Sequence, residues 1–185
     1  AERRAAALSL DRSLLNDLLG SAELRSLLDG DVIAAVHAEH QRLVERRWAR
    51  DVDDVIDILR QLGPMARHEL DLRSSIDGFD EVLDSAMTDR RVVQWGTTSM
   101  SSWYAAVEDA GRVRDAFGVA LVAGLPHVCT EPTENPVGEL VLRLMLNSVP
   151  LTLDSIVERV PARPSLVLKA LESCVEHGLL VSGEF

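Results

Sequence analysis

Two imidazoles three residues apart, in His37-Ala38-Glu39-His40, are the first groups in the chain whose type and spacing could hold a metal ion. On a helix they would share a face. A zinc site needs three or four ligands. Local spacing offers no third, and no H-E-x-x-H run is present, so both histidines read as solvated helix residues. Asp51, Asp53 and Asp54 could supply carboxylates for acid–base work, but they stand at the head of an apolar repeat. There, carboxylates cap orphan N–H groups and suit the helix dipole. Ser99, Ser101 and Ser102 have no G-x-S-x-G elbow around them. Cys129 and Cys174 have neither metal-type spacing nor a neighbouring cation to activate a thiol. No catalytic, metal-ligating or cofactor-binding residue is therefore assigned, and no cofactor is expected. Nucleic-acid contact remains: Arg90 and Arg91 could meet phosphate, Trp95 or Trp103 could stack on an unpaired base, and Arg163 and Lys169 are the cations of the last helical stretch.

Charge weighs against that contact. The net charge is −11, whereas phosphate neutralisation normally demands a basic surplus. Asp77, Asp80, Glu81, Asp84 and Asp89 crowd the stretch preceding Arg90, and Glu172 and Glu176 oppose Lys169, the single lysine. Direct base readout is not expected, Trp103 reads as core, and the arginine pair reads as solvated. Hydrophobic residues make up 46% and aromatics 4%, so the cores must be built from Leu, Val and Ala. No apolar run approaches the roughly 18–20 residues that span a bilayer, and no secretory leader is visible. Two isolated cysteines suit a reducing compartment, and a cytoplasmic location is expected.

The elements that must position these residues are mainly helical. Residues 1–50 read as helix, with Leu14, Leu15, Leu18 and Leu19 at helical spacing, a short helix at 21–28, and a third capped by Asp31 that carries Val32, Ile33, Val36, His40 and Leu43 on one stripe. A second unit, 51–118, opens with Val55, Ile58, Leu59 and Leu62 at i, i+3, i+4, i+7 and stops at Gly63-Pro64. A short helix over 66–73 and another carrying Phe79, Val82, Leu83, Ala86 and Met87 follow. The period then changes to 2: residues 91–95 and 103–107 read as a β-hairpin across Gly96-Thr97-Thr98-Ser99. Three helices and a hairpin make the order of a winged helix. A helix over 108–117 closes the unit. Residues 119–135, with Gly124, Pro126, Pro132 and Pro136 beyond, show no period and form a linker or a packed connecting loop. From 136 the helical order repeats: Leu140, Val141, Leu144 and Met145; then a helix capped by Thr152 or Asp154; then Leu168, Leu171 and Val175 before the stop at Gly178. Leu179 to Val181 is expected to begin the wing of a second, incomplete winged-helix module, with a short extended piece at 151–152. A lone strand needs a partner, so the chain is expected to be a piece of a larger protein.

Three stretches resemble the large helicase-related (Lhr) family of bacterial superfamily 2 helicases: residues 1–29, the run WYAAVEDAGRVRDAFGVAL at 103–121, and 134–185. The middle stretch is the most specific, through Val107-Glu108-Asp109-Ala110-Gly111-Arg112 joined to Arg114-Asp115-Ala116. The likeness is weakest across 65–102. It implies the region following an ATPase core, at the head of an array of winged-helix modules, in proteins that translocate on single-stranded DNA and are linked to repair. No G-x-x-x-x-G-K-[ST] loop or Asp-Glu-x-His box is present, so this region would not hydrolyse ATP. Its expected role is that of a non-catalytic accessory module packed on the rest of a parent helicase, with single-stranded DNA contact at most weak. The alternative is a structural or self-associating module that forms a homo-oligomer.

Overall fold

A computed structural model describes residues 29–96 and 102–183. The helices expected over 1–28 lie outside the described residues, as do Ser99 and Ser101. The chain divides into two compact units between Val36 and His37. The described part of the first consists of 29–36, the opening of helix α1 (Gly30–His40). Asp29 caps it through Oδ1, which accepts from Asp31 N at 2.9 Å, so Asp29 takes the capping role expected of Asp31. Val32 and Val36, two members of the stripe read from the sequence, are exposed.

In the second unit, Asp51 caps helix α2 (Val52–Leu62) by accepting from Asp54 N at 2.9 Å. Its repeat buries Val55, Ile56, Ile58, Leu59 and Leu62. Gly63 ends it at φ 90°, a backbone region that side chains with a Cβ rarely enter. The chain then runs through β1 (Met65–Ala66), α3 (Arg67–Asp71), α4 (Phe79–Thr88), β2 (Val92–Trp95) and β3 (Trp103–Ala106). A 3₁₀ turn at Val107–Asp109 leads into α5 (Ala110–Phe117).

The expected hairpin is present with Val93 opposite Ala105 and Trp95 opposite Trp103. The sheet has a third strand that the expectation lacked: β1 pairs with β3, giving the order β1-β3-β2. Side chains alternate across this small sheet. Met65, Val92, Tyr104 and Ala106 join Leu59, Leu70 and Leu83 in the main core. Val93 and Ala105 face the other way, against Ala110 and Val113 of α5, with Trp95, Phe117, Leu121 and Leu125 around them. The aperiodic stretch after α5 is thus a packed connecting loop, since two of its leucines complete that second core.

Asn135 caps α6 (Pro136–Leu146), and its Oδ1 accepts from Gly138 N at 3.2 Å. Of the two candidate caps for α7 (Leu153–Arg159), Thr152 is used, accepting from Ser155 N at 3.3 Å. With α8 (Pro164–Glu176) these helices enclose Val141, Leu144, Ile156, Val160, Val167 and Ala170. Two expected extended pieces are absent as strands. Leu151 and Thr152 join no strand ladder among the described residues, and 179–183 form no strand. Gly178, at φ 69°, closes α8 in a Schellman turn, with Gly178 N donating to Val175 O and Leu179 N to Cys174 O. Strand structure requires a partner ladder, and none faces Leu179 to Val181 among the described residues. Helices dominate, with one three-stranded sheet, and the order α2-β1-α3-α4-β2-β3 is that of a winged helix.

Candidate nucleic-acid face and polar junction

In a winged helix the third helix is the element that enters a groove. Here that helix is α4, whose outward residues Asp80, Glu81 and Asp84 are all exposed and which contains no Lys or Arg. Arg67 approaches it from α3, but its guanidinium is bound to Asp71 at 2.9 Å and to Asp80, and lies 5.0 Å from the Phe79 ring centroid. A phosphate would meet a wall of carboxylates.

The hairpin candidates are engaged elsewhere. Arg90 has a left-handed backbone (φ 57°), and its guanidinium covers Gly124: a Cβ there would lie 2.8 Å from the central carbon. Arg91 pairs with Asp53 at the start of α2. Trp95 stacks with Trp103 (6.3 Å, 21°) and with Phe117 (5.9 Å, 24°), so its ring works as packing. Arg163, at the N-cap of α8, and Lys169, within it, are exposed and without an ion-pair partner among the described residues. Arg90 and Arg91 precede β2 and Trp95 ends it, while Arg163 and Lys169 belong to α8 and its N-cap. No single basic surface is built from the five.

The most specific sequence motif, 107–116, turns out to build a junction. Glu108 accepts from Arg60 of α2 at 2.5 Å. Asp109, with 4% of its side chain exposed, holds Arg143 of α6 through two contacts, 2.5 and 2.9 Å, and also binds Arg112. Arg112 continues to Glu139 of α6 at 2.6 Å. Gly111 lets the following loop approach: a Cβ there would sit 2.5 Å from Glu131 O and 3.2 Å from Cys129 O. Arg114 donates to Thr130 O at 2.8 Å, and Asp115 accepts from Thr133 N at 2.9 Å. Each polar member of the motif ties α5 to α2, to the connecting loop or to α6.

A second set of buried polar groups lies where the end of α1 meets α3 and α7. Gln41 is 1% exposed; its Nε2 donates to Asn147 O at 2.7 Å. Arg73, 2% exposed, donates to Gln41 O at 2.7 Å, to Glu69 O at 2.6 Å and to Gln41 Oε1 at 3.2 Å. Arg159 of α7 reaches Gln41 Oε1 at 3.2 Å and Glu69 Oε1 at 2.8 Å. The remaining Glu69 oxygen accepts from Ala66 N at 3.1 Å. Arg159 is thus paired with the Glu69 carboxylate, whereas Arg73 is held by neutral acceptors, the Glu69 backbone carbonyl among them. Burial pushes Arg73 down to about 10, with Arg159 adding to the shift and Glu69 opposing it.

His37 differs from its expectation. It is half-buried, and its Nδ1 is buried with no hydrogen-bond partner, whereas His40 is exposed. Among the described residues no group of three or more His, Cys, Asp or Glu is placed to hold a metal. Burial, with a smaller push from Glu108, raises the Cys129 thiol, which leaves it unactivated. Sequence reasoning missed the structural part played by Gln41, Arg73, Asp109 and Arg143. Arg73, just beyond α3, is buried and Arg143 of α6 is half-buried, and hydrophobic periodicity reports neither; only the density of charge at 108–115 hinted at Asp109.

This geometry is matched by sequence relationships. The family described as "Large helicase-related protein, winged-helix domain" matches residues 26–132. The chain is 38% identical over 185 residues, its whole length, to a Mycolicibacterium smegmatis protein named Lhr helicase/probable uracil glycosylase. It is 33% identical over 184 residues, 98% of its length, to the Escherichia coli protein named Lhr helicase/uracil glycosylase. In both cases it spans 12% of the relative's length.

Proposed function

Because this chain belongs to the family of winged-helix domains of large helicase-related proteins, we propose that it is a non-catalytic accessory region of an ATP-dependent DNA helicase or translocase linked to repair. It packs against the motor or against other winged helices, and contacts single-stranded DNA weakly at most. The observation that carries this reading is where the arginines go. Arg60, Arg112, Arg143 and Arg159 bridge helices through carboxylates, while the groove-facing side of α4 is acidic. Cations spent on internal bridges release no counterions from DNA. The helices α6 to α8 are the helical part of a second, incomplete winged-helix module, and the junction ties it to the first. Among the described residues of the last helical stretch, Arg163 and Lys169 are exposed, unbridged cations that could meet a passing strand. No cofactor is needed, and the setting is cytoplasmic.

The test is made in the parent protein. Removing residues 29–183 should leave DNA-dependent ATP hydrolysis measurable while impairing duplex unwinding. Complete loss of ATP hydrolysis in a soluble, folded parent would refute the accessory role. One observation favours the alternative, a structural or self-associating module: Leu168, Val175 and Leu179 are exposed along and just beyond α8. Concentration-dependent assembly in sedimentation, without single-strand binding, would decide for it.

A further inference from the structure

The junction around Gln41 holds an arrangement that rigid packing alone does not require. Arg159 is paired with the Glu69 carboxylate, while the positive charge of Arg73 beside it is met only by neutral acceptors: the Gln41 carbonyl, its side-chain oxygen and the Glu69 carbonyl. His37 stands one helical turn before Gln41, and Gln41 N donates to His37 O at 2.9 Å. Its buried Nδ1 finds no donor or acceptor. The charged or titratable groups that act on it are Arg159 from α7, Arg73 from the end of α3, and His40 on its own helix. The Glu69 carboxylate of this junction is already occupied by Arg159.

A neutral imidazole fits this place, because an unprotonated Nδ1 leaves only a weakly solvated lone pair. An imidazolium does not fit. It would bury an N–H with no acceptor and place a third cation beside two guanidiniums. We propose that this junction is an acid-sensitive latch: a proton taken from solvent by His37 loosens the last turn of α1 from α3 and α7. The reading of the junction as a structural coupling underlies this proposal, but failure of the latch leaves the coupling untouched, since the Asp109 bridges do not involve His37.

The direction of the effect follows from the groups present. Burial, then Arg159, Arg73 and His40, hold His37 below its ordinary 6.5 in the folded chain. As pH falls below about 6.5 the unfolded chain takes a proton that the folded chain resists, so stability declines. The decline ends once pH has passed below the folded value, where both states are protonated.

The experiment is an NMR titration of the full chain between pH 7.5 and 5, following the His37 ring and the Gln41 side-chain amide, alongside thermal unfolding of the wild type and His37→Gln. Expected are a His37 midpoint below its ordinary 6.5, Gln41 amide shifts that follow the same midpoint, and an acid-induced drop in Tm that is smaller in His37→Gln. A His37 midpoint at or above 6.5, or an acid-induced drop equal in both proteins, would overturn the latch. Should His37→Gln fail to fold, the wild-type titration alone decides, by whether the His37 midpoint lies below 6.5 and the Gln41 amide follows it.

Discussion

Replacing Asp109 by Ala removes the carboxylate on which Arg143 and Arg112 converge. Taking one partner from a buried ion pair costs about 3–5 kcal/mol, because the other charge stays desolvated. That figure is a ceiling here. The side chains of Arg143 and Arg112 are 22% and 23% exposed, and Arg112 retains Glu139 at 2.6 Å. Both guanidiniums can recover part of their hydration, so a loss of about 2 kcal/mol is expected. For a chain of this size it would lower Tm by about 4–8 °C. The assay is thermal or urea unfolding of Asp109→Ala, Arg143→Ala and the double variant. If the bridge is real, the double variant should be more stable than the sum of the single effects predicts, by at least about 1 kcal/mol. Strict additivity, or a single-variant loss under about 0.5 kcal/mol, would refute the claim that the Asp109 bridge ties α5 to α6.

Three further outcomes are expected. Gly111→Ala should destabilise by about 1–3 kcal/mol in the same unfolding assay, because the new methyl meets backbone oxygens of 129–131, which can move only with the whole loop. Leu83→Ala should cost about 2–5 kcal/mol, since Leu83 is 1% exposed in the main core; an unchanged melting curve would show that the face of α4 is misassigned. Partial burial pushes the Glu108 carboxyl up, but its bond to Arg60, a backbone hydrogen bond and the Arg60 and Arg91 charges together hold it below its ordinary 4.5. Its contribution is therefore present above about pH 5 and lost as pH falls through the folded value, and Glu108→Gln should flatten that part of the acid unfolding curve.

Local order was legible where one stretch of sequence carries its own signal. Asp51 before an i, i+3, i+4, i+7 repeat and Gly63 after it marked α2 at both ends, and the change of period at Arg91 marked the hairpin. The two-residue strand β1 was not legible, because Met65–Ala66 shows no alternation and is a strand only through its ladder to Tyr104 and Trp103. The reverse error befell Leu179 to Val181, which have β-type composition but face no partner. Val32 and Val36 of α1 follow helical spacing yet stay exposed, so periodicity there did not report burial. The junction was illegible for a related reason. Glu108, Asp109 and Arg112 find their partners Arg60, Arg143 and Glu139 across 48, 34 and 27 residues of chain, and nothing local to the motif names them.

The bridging arginines Arg60, Arg112, Arg143 and Arg159 serve the architecture of the described residues and leave little charge for DNA. The salt dependence of single-stranded DNA binding tests this most directly, measured by titrating a labelled oligonucleotide with the full chain from about 20 to 200 mM salt. The prediction is weak binding whose logarithm falls with a slope near −1, about one or two phosphates neutralised, as contacts from two cations such as Arg163 and Lys169 would give. Tight binding with a slope of about −3 or steeper, four or more phosphates, would contradict it.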